Sequence, residues 1–289
     1  MQTKKNPKIA IIGKFIKLHD EEYIARSFES IGCEVARINE KLSRYEIFEL
    51  LEHHNPDIVL WTKLNVGEAK KIRDFCSKYK TVCWVFDLYI GYQRENRLNS
   101  PAFTADYVFT TDGGHDKEFK ERGINHKCLR QGIWKDECVL YPFNKIEHEI
   151  VFVGSDNPYF PERTKFIEEL GAKWFGRLST NELRGLNLNE VYAKSRIIIG
   201  DSVYSPYYWS NRVVETLGRG GFLIHREVEG LKEEYPYLVT YKNKDDLLAK
   251  IDYYKQHEGE RREIIRKNYK WVRDNYTMDK KCQELLNNL

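Results

Sequence analysis

At 289 residues the chain is long enough for two domains of roughly 100–200 residues each, and a 41% hydrophobic, 31% charged composition lets each half bury a core of its own. The formal net charge of +3 is too small to require a nucleic-acid partner. Cys33, Cys76, Cys83, Cys128, Cys138 and Cys282 are scattered with no CxxC pair, which argues against a zinc site or a dithiol motif and fits reduced thiols in a cytoplasmic protein.

The opening "MQTKKNPKIAIIG" carries no apolar run long enough for a signal peptide, and no later segment approaches the ~20 apolar residues of a membrane span. "KIAIIG" is a short apolar run closed by Gly13, as expected of a buried parallel strand. An amphipathic helix follows from Asp20 to Gly32, then the strand "EVARI" and the helix "RYEIFELLEHH". The strand "PDIVLWTK", the helix "GEAKKIRDFCSKY" and the strands "TVCWVFD" and "DYVFTTD" come next. The short helix "HDKEFKERG" and the closing "HKCLRQGI" complete the first half. Such alternation predicts a parallel sheet with right-handed crossovers.

Tyr141–Glu149 breaks the pattern and reads as a linker, after which the alternation restarts. "IVFVGS", "AKWFG" and "RIIIGDS" are strands, separated by helices at "PERTKFIEELG" and "LNEVYAKS". An aromatic loop, "VYSPYYWS", leads into a helix, the strand "GFLIH", a short helix at "EGLKEEY" and the strand "LVTYKN". From Lys244 onward the chain is helical, in two or three pieces broken near His257–Gly259 and Thr277. The domains expected are therefore 1–140, 149–275 and a final helix over 276–289 that can pack back on the first domain.

Two open α/β domains in sequence should face a cleft, with ligands outside the carboxyl ends of the strands. In "YWSNRVVETLGRGGFLIH", Ser210 or Asn211 can cap a helix whose free amides suit an anion. Arg212 in the first turn opposes the helix dipole, which makes sense beside a bound anion, a diphosphate foremost; the alternative is a solvated arginine or one paired with a carboxylate such as Asp201. Glu215, one turn on, can accept from both hydroxyls of a ribose. Gly218, Gly220 and Gly221 permit a tight turn with backbone close to a ligand.

"SNRVVETLGRGGFLI", "EGLKEEY" and the tail "KDDLLAKIDYYKQHEGERREI…NYKWVRDNYT" together resemble the C-terminal domain of GT-B glycosyltransferases, and most closely the spore-maturation-type glycosyltransferase-like group. "RIIIGDS" and "IVFVGS…R..FIEELG…WFG" are similar to the same domain, so the resemblance covers about half of the chain. It implies two Rossmann-like parallel-sheet domains facing a cleft. It also implies a nucleotide-diphosphate sugar as donor substrate, a UDP-sugar foremost, with no further cofactor. Carried over, Glu215 would bind the donor ribose, and Asn211 and Arg212 would lie near the diphosphate. Many retaining members have a second glutamate eight positions earlier; here that position is Tyr207.

The catalytic group is expected from the N-terminal domain. Asp87, closing "TVCWVFD", is the first candidate for a general base; Asp112 and His115 in "TTDGGHD" are the second, and His19 on the acceptor side the third. Arg177 and Arg130 are further basic candidates for the leaving diphosphate. No cluster has metal-ligand spacing. The basic run Arg261–Arg273 reads as a solvated helix face, with a DNA acceptor as its alternative; some viral relatives glycosylate modified bases. An epimerase of the same architecture and a non-catalytic nucleotide-sugar-binding protein are the competing readings. A dinucleotide dehydrogenase is disfavoured because no GxGxxG follows a strand.

Overall fold

The computed structural model describes residues 6–62, 78–92, 94–143, 145–154, 161–176, 183–201 and 203–289. The helix expected at "GEAKKIRDFCSKY" falls almost wholly outside them. The chain divides into two compact units, Met1–Gln131 together with Met278–Leu289, and Gly132–Thr277.

Unit 1 is built on a six-stranded sheet of β1 (Lys8–Gly13), β2 (Glu34–Asn39), β3 (Ile58–Trp61), β4 (Lys80–Val85), β5 (Tyr107–Thr110) and β6 (His126–Cys128). The order is β2-β1-β3-β4-β5-β6, and every pairing is parallel. The apolar runs of the sequence become central strands because both faces are covered: all of β3, and all but the first residue of β1 and β4, fall in the buried or near-buried class.

Helix α1 (Asp20–Ser30) places three acidic residues in its first turn and buries Ile24, Ala25 and Phe28. Helix α2 (Arg44–His54) starts in a capping box, Ser43 with Glu46, and stops at Asn55 in the left-handed region. Helix α3 (Asp116–Glu121) precedes β6. The C-terminal helix, Met278–Asn287, packs on α1 and sets Met278, Cys282 and Leu285 in one core with Ile24, Phe28 and Trp84. Their spacing puts all three on one helical face.

Unit 2 holds a five-stranded parallel sheet of β7 (His148–Val153), β8 (Lys173–Phe175), β9 (Ser195–Gly200), β10 (Leu223–Arg226) and β11 (Val239–Tyr241), ordered β11-β10-β9-β7-β8. Its helices are α4 (Pro161–Glu169), α5 (Leu186–Ala193), α6 (Arg212–Gly218), α7 (Leu231–Glu234), α8 (Lys244–Gln256) and α9 (Glu258–Asn275). The breaks expected near His257 and Thr277 are where α8 and α9 end, and Thr277 forms a bridge with Ile133 before the C-terminal helix begins. Apolar side chains cover both faces of the sheet.

The strand order reverses direction between β1 and β3 in unit 1 and between β7 and β9 in unit 2. In open α/β sheets such switch points mark where ligands sit, outside the carboxyl ends of the strands.

Candidate functional site

In unit 2 the switch point is spanned by one side chain. Arg212, the first residue of α6, donates from Nε to the carbonyl of Val153 at 2.7 Å and from Nη1 to the carbonyl of Asp201 at 2.5 Å. These carbonyls close β7 and follow β9, so the guanidinium ties the two diverging strand ends together. It lies over the Phe152 ring at 4.6 Å, and Nη1 also reaches Ser210 Oγ at 3.4 Å. The remaining nitrogen, Nη2, has no hydrogen-bond acceptor among the described residues. It sits beside Gly154, where an added Cβ would lie 2.5 Å away, so only glycine fits there without displacing it. Burial, and then the neighbouring Arg163, lower the Arg212 pKa to about 10.

Arg163 on α4 donates Nε to Asp201 Oδ2 at 3.2 Å, with both side chains more than four-fifths buried. Among the described residues, two guanidiniums and one carboxylate gather at this edge. His225, fully buried on β10, donates from Nδ1 to the Arg226 carbonyl at 2.7 Å, and burial holds its pKa down at about 4.

Glu215 follows one turn along α6. Its Oε2 accepts from Arg219 Nε at 3.0 Å and Nη2 at 2.8 Å; Oε1 has no partner among the described residues, and the side chain remains partly exposed. Burial pushes the Glu215 carboxyl up, and the Arg219 charge pulls it back. Gly220 has φ +76°, and an added Cβ would lie 2.4 Å from Leu140 Cδ1; at Gly221 it would lie 2.6 Å from Thr216 Cγ2.

Ser210 and Asn211 differ from expectation. Neither side chain caps α6, because Asn211 already has helical angles (φ −54°, ψ −18°) and stays exposed; the Ser210 hydroxyl accepts from Arg212 instead. The helix spans only seven residues, and its first residue turns inward to the strand ends. Tyr207 takes a left-handed φ of 54° and donates its hydroxyl to Glu229 Oε1 at 2.9 Å. Arg177 lies outside the described residues.

In unit 1, Asp87 forms an ion pair with Arg94 and is half-buried. Asp112, fully buried after β5, is held by the Gly114 amide at 3.0 Å and accepts from His115 Nδ1 at 2.9 Å. The sequence Asp-Gly-Gly-His permits this because a glycine-lined turn lets the imidazole fold back over the carboxylate. With Nδ1 committed to Asp112, His115 Nε2 has no partner among the described residues; the ring is partly exposed. His126 makes the contrasting pair: Nδ1 meets Asp116 Oδ1 at 2.8 Å and Nε2 meets Thr110 Oγ1 at 2.8 Å, so both nitrogens are used internally. His19 stands at the N-terminus of α1 without a side-chain cap bond.

The structure thus brings Arg212 and Ser210 together at the switch point, with Glu215 one turn beyond, and joins Asp112 to His115. It gives Asp87 an arginine partner. Arg163 and Arg219 were missed by sequence reasoning. Arg219 could have been found from its i, i+4 relation to Glu215; Arg163 carries no local signal beyond its place in the first turn of α4. Among the described residues no group of three or more His, Cys, Asp or Glu could hold a metal ion.

The model of the glycosyl transferase-like family matches residues 145–287. No curated protein matches the chain in sequence. Similar solved structures include sucrose-phosphate synthase from Thermosynechococcus elongatus, with TM-score 0.65, 11% identity, and coverage of 97% of this chain and 98% of that one. A glycosyltransferase from Rickettsia africae gives 0.63 and 14%, covering 98% of this chain and 97% of that one. The Anabaena protein Alr3699/HepE in complex with UDP-glucose gives 0.65 and 11%, covering 98% and 100%. At these identities the likeness is one of fold. Residues 145–287, just under half of the chain, match the glycosyl transferase-like family, and the two parallel-sheet α/β domains share the fold of GT-B glycosyltransferases.

Proposed function

We propose that the protein transfers a sugar from a nucleotide-diphosphate donor, a UDP-sugar foremost, to an acceptor hydroxyl. The observation that carries this reading is the switch point of unit 2. Arg212 bridges the ends of β7 and β9 and, among the described residues, keeps Nη2 beside Gly154 without an acceptor, while Glu215 presents one oxygen, Oε1, that no described residue shares. A diphosphate would meet Arg212 Nη2 and the charge of Arg163; a ribose diol would donate to Glu215 Oε1. That HepE was solved with UDP-glucose agrees with this choice of donor.

In the reaction the acceptor oxygen forms a bond to the anomeric carbon as the bond to the diphosphate breaks. The nucleoside diphosphate leaves, and the hydroxyl proton passes to a base. His115 is assigned that role in preference to Asp87. The Asp112 carboxylate fixes Nδ1 as the donor nitrogen and leaves Nε2 basic, whereas Asp87 is engaged with Arg94.

A DNA acceptor gains no support from the basic run. Arg262 pairs with Glu258, Lys267 with Glu263 and Arg273 with Asp274. Arg261 is buried against the Tyr254 carbonyl, and Arg266 stacks on Phe143. The acceptor is taken to be a glycan or small-molecule hydroxyl.

The test is incubation with UDP-, GDP-, ADP- and TDP-sugars. Release of free nucleoside diphosphate, slow without acceptor and faster with one, is expected. Sugar interconversion without release would instead make the protein an epimerase, and binding without release a binding module. His115→Asn should lower transfer about 10²–10⁴-fold while donor affinity stays within a factor of two. If turnover survives in that variant, His115 is not the base.

A further inference from the structure

The carboxylate of Glu215, whose Oε1 has no partner among the described residues, is held through Oε2 by a buried hub. Arg219 is 4% exposed, and all five of its N–H donors are accounted for by neighbours. Nε and Nη2 both meet Glu215 Oε2, and Nη2 also meets Glu137 Oε2. Nη1 donates to the Gly185 carbonyl at 2.9 Å and to Asn189 Oδ1 at 2.6 Å. Asn189, itself fully buried, donates to the carbonyls of Glu137 at 2.9 Å and Val139 at 3.1 Å. The guanidinium is thus anchored from the turn before α5, from α5 and from the Lys135–Glu137 3-10 turn before it meets α6.

The geometry at Glu215 is selective. Both contacts fall on one oxygen, Oε2, and among the described residues none falls on Oε1, so the carboxylate is anchored at one side with its other oxygen directed away from the hub. A surface pair would not do this, because a lysine or a solvated arginine lets the whole carboxylate swing away. A planar buried fork with no spare donor, by contrast, holds its position and tilt.

We infer that Arg219 is a positioning residue for donor recognition: it locks Glu215 so that Oε1 reads the ribose hydroxyls, and it thereby sets the preference for ribonucleotide over 2′-deoxyribonucleotide donors. The inference rests on the reading of Glu215 as the ribose contact. It also explains why an arginine sits in the Gly-Arg-Gly-Gly turn. That turn must return the chain sharply to β10 while delivering a long side chain back to the position four residues earlier.

The experiment measures dissociation constants by titration calorimetry for UDP, GDP and ADP, each against its 2′-deoxy counterpart, using the full-length protein and whichever pair binds tightest. Wild type should prefer the ribonucleotide by about tenfold or more, the scale of losing one hydrogen bond to a charged group. In Arg219→Lys the ratio should fall to within about twofold of unity, with affinity for the deoxy compound nearly unchanged. Should Arg219→Lys not fold, Arg219→Gln with Glu137→Gln replaces it. That double variant trades two carboxylates and one guanidinium for one carboxylate, leaving the local net charge at −1.

A folded Arg219 variant that keeps the wild-type ratio overturns the inference alone. A wild type with no ribose preference, or a Glu215→Gln variant that keeps it, overturns the ribose reading of Glu215 and the inference with it.

Discussion

A guanidinium taken out of water survives only where its donors are met, and Arg212 shows what the fold gains from that requirement. Its two shortest bonds go to backbone carbonyls at strand ends that diverge at the switch point. Without it, two inward-facing carbonyls would lose a charged donor. Arg212→Lys keeps the charge but cannot reach both, so it should destabilise the protein by about 2–4 kcal/mol. Arg26→Lys, at an exposed pair with Glu22, should cost less than about 0.5 kcal/mol. Urea midpoints of the two variants make the comparison; equal shifts would mean that Arg212 is no brace. The residue identities at this site were legible in the sequence, but their directions were not. "SNR" reads as a capped helix start with an outward cation, and only the pairing of β7 with β9 shows that the cation turns inward. The Asp112–His115 pair was easier, since only two residues, both glycines, separate the partners.

At the scale of elements, the signals that worked were those confined to a few neighbouring residues. Gly13 closing β1 and the interruptions at His257 and Thr277 act within about one helical turn, and each element starts or stops there. Only one arm of Arg219 is local in that sense: Glu215 is four residues away, whereas Glu137 is 82 residues distant in sequence. Two substitutions probe the local devices. Asn243 caps α8 by accepting from the Asp246 amide at 2.9 Å, so Asn243→Ala should cost about 1 kcal/mol. Gly220 holds φ +76° and has Leu140 where a Cβ would go, so Gly220→Ala adds a left-handed penalty of about 1–2 kcal/mol to a steric one. Thermal unfolding should therefore rank Gly220→Ala below Asn243→Ala. The reverse order would show that the turn relaxes easily.

For the whole molecule, two units with separate cores make a single two-state transition unsafe to assume, so each unit needs its own reporter. Acid should weaken both through buried histidines. In unit 2 the folded-state pKa of His225 is depressed from 6.5 to about 4 by burial, and in unit 1 burial lowers that of His126 against the pull of Asp116. The sign follows from proton counting. Between pH 6.5 and 4 the unfolded chain binds a proton at residue 225 that the folded chain refuses. Stability is therefore undiminished above the unfolded value and falls as pH drops, with the loss complete near pH 4. For His225, whose pKa falls from 6.5 to about 4, the full loss is about 3 kcal/mol. His225→Gln removes the titration without removing hydrogen-bonding capacity. The stability difference between wild type and this variant should accordingly shift in favour of the variant by about 3 kcal/mol between pH 7 and pH 4. Urea unfolding followed through the unit 2 tryptophans measures it, and a difference that stays constant over that range would mean His225 is already solvated in the folded protein.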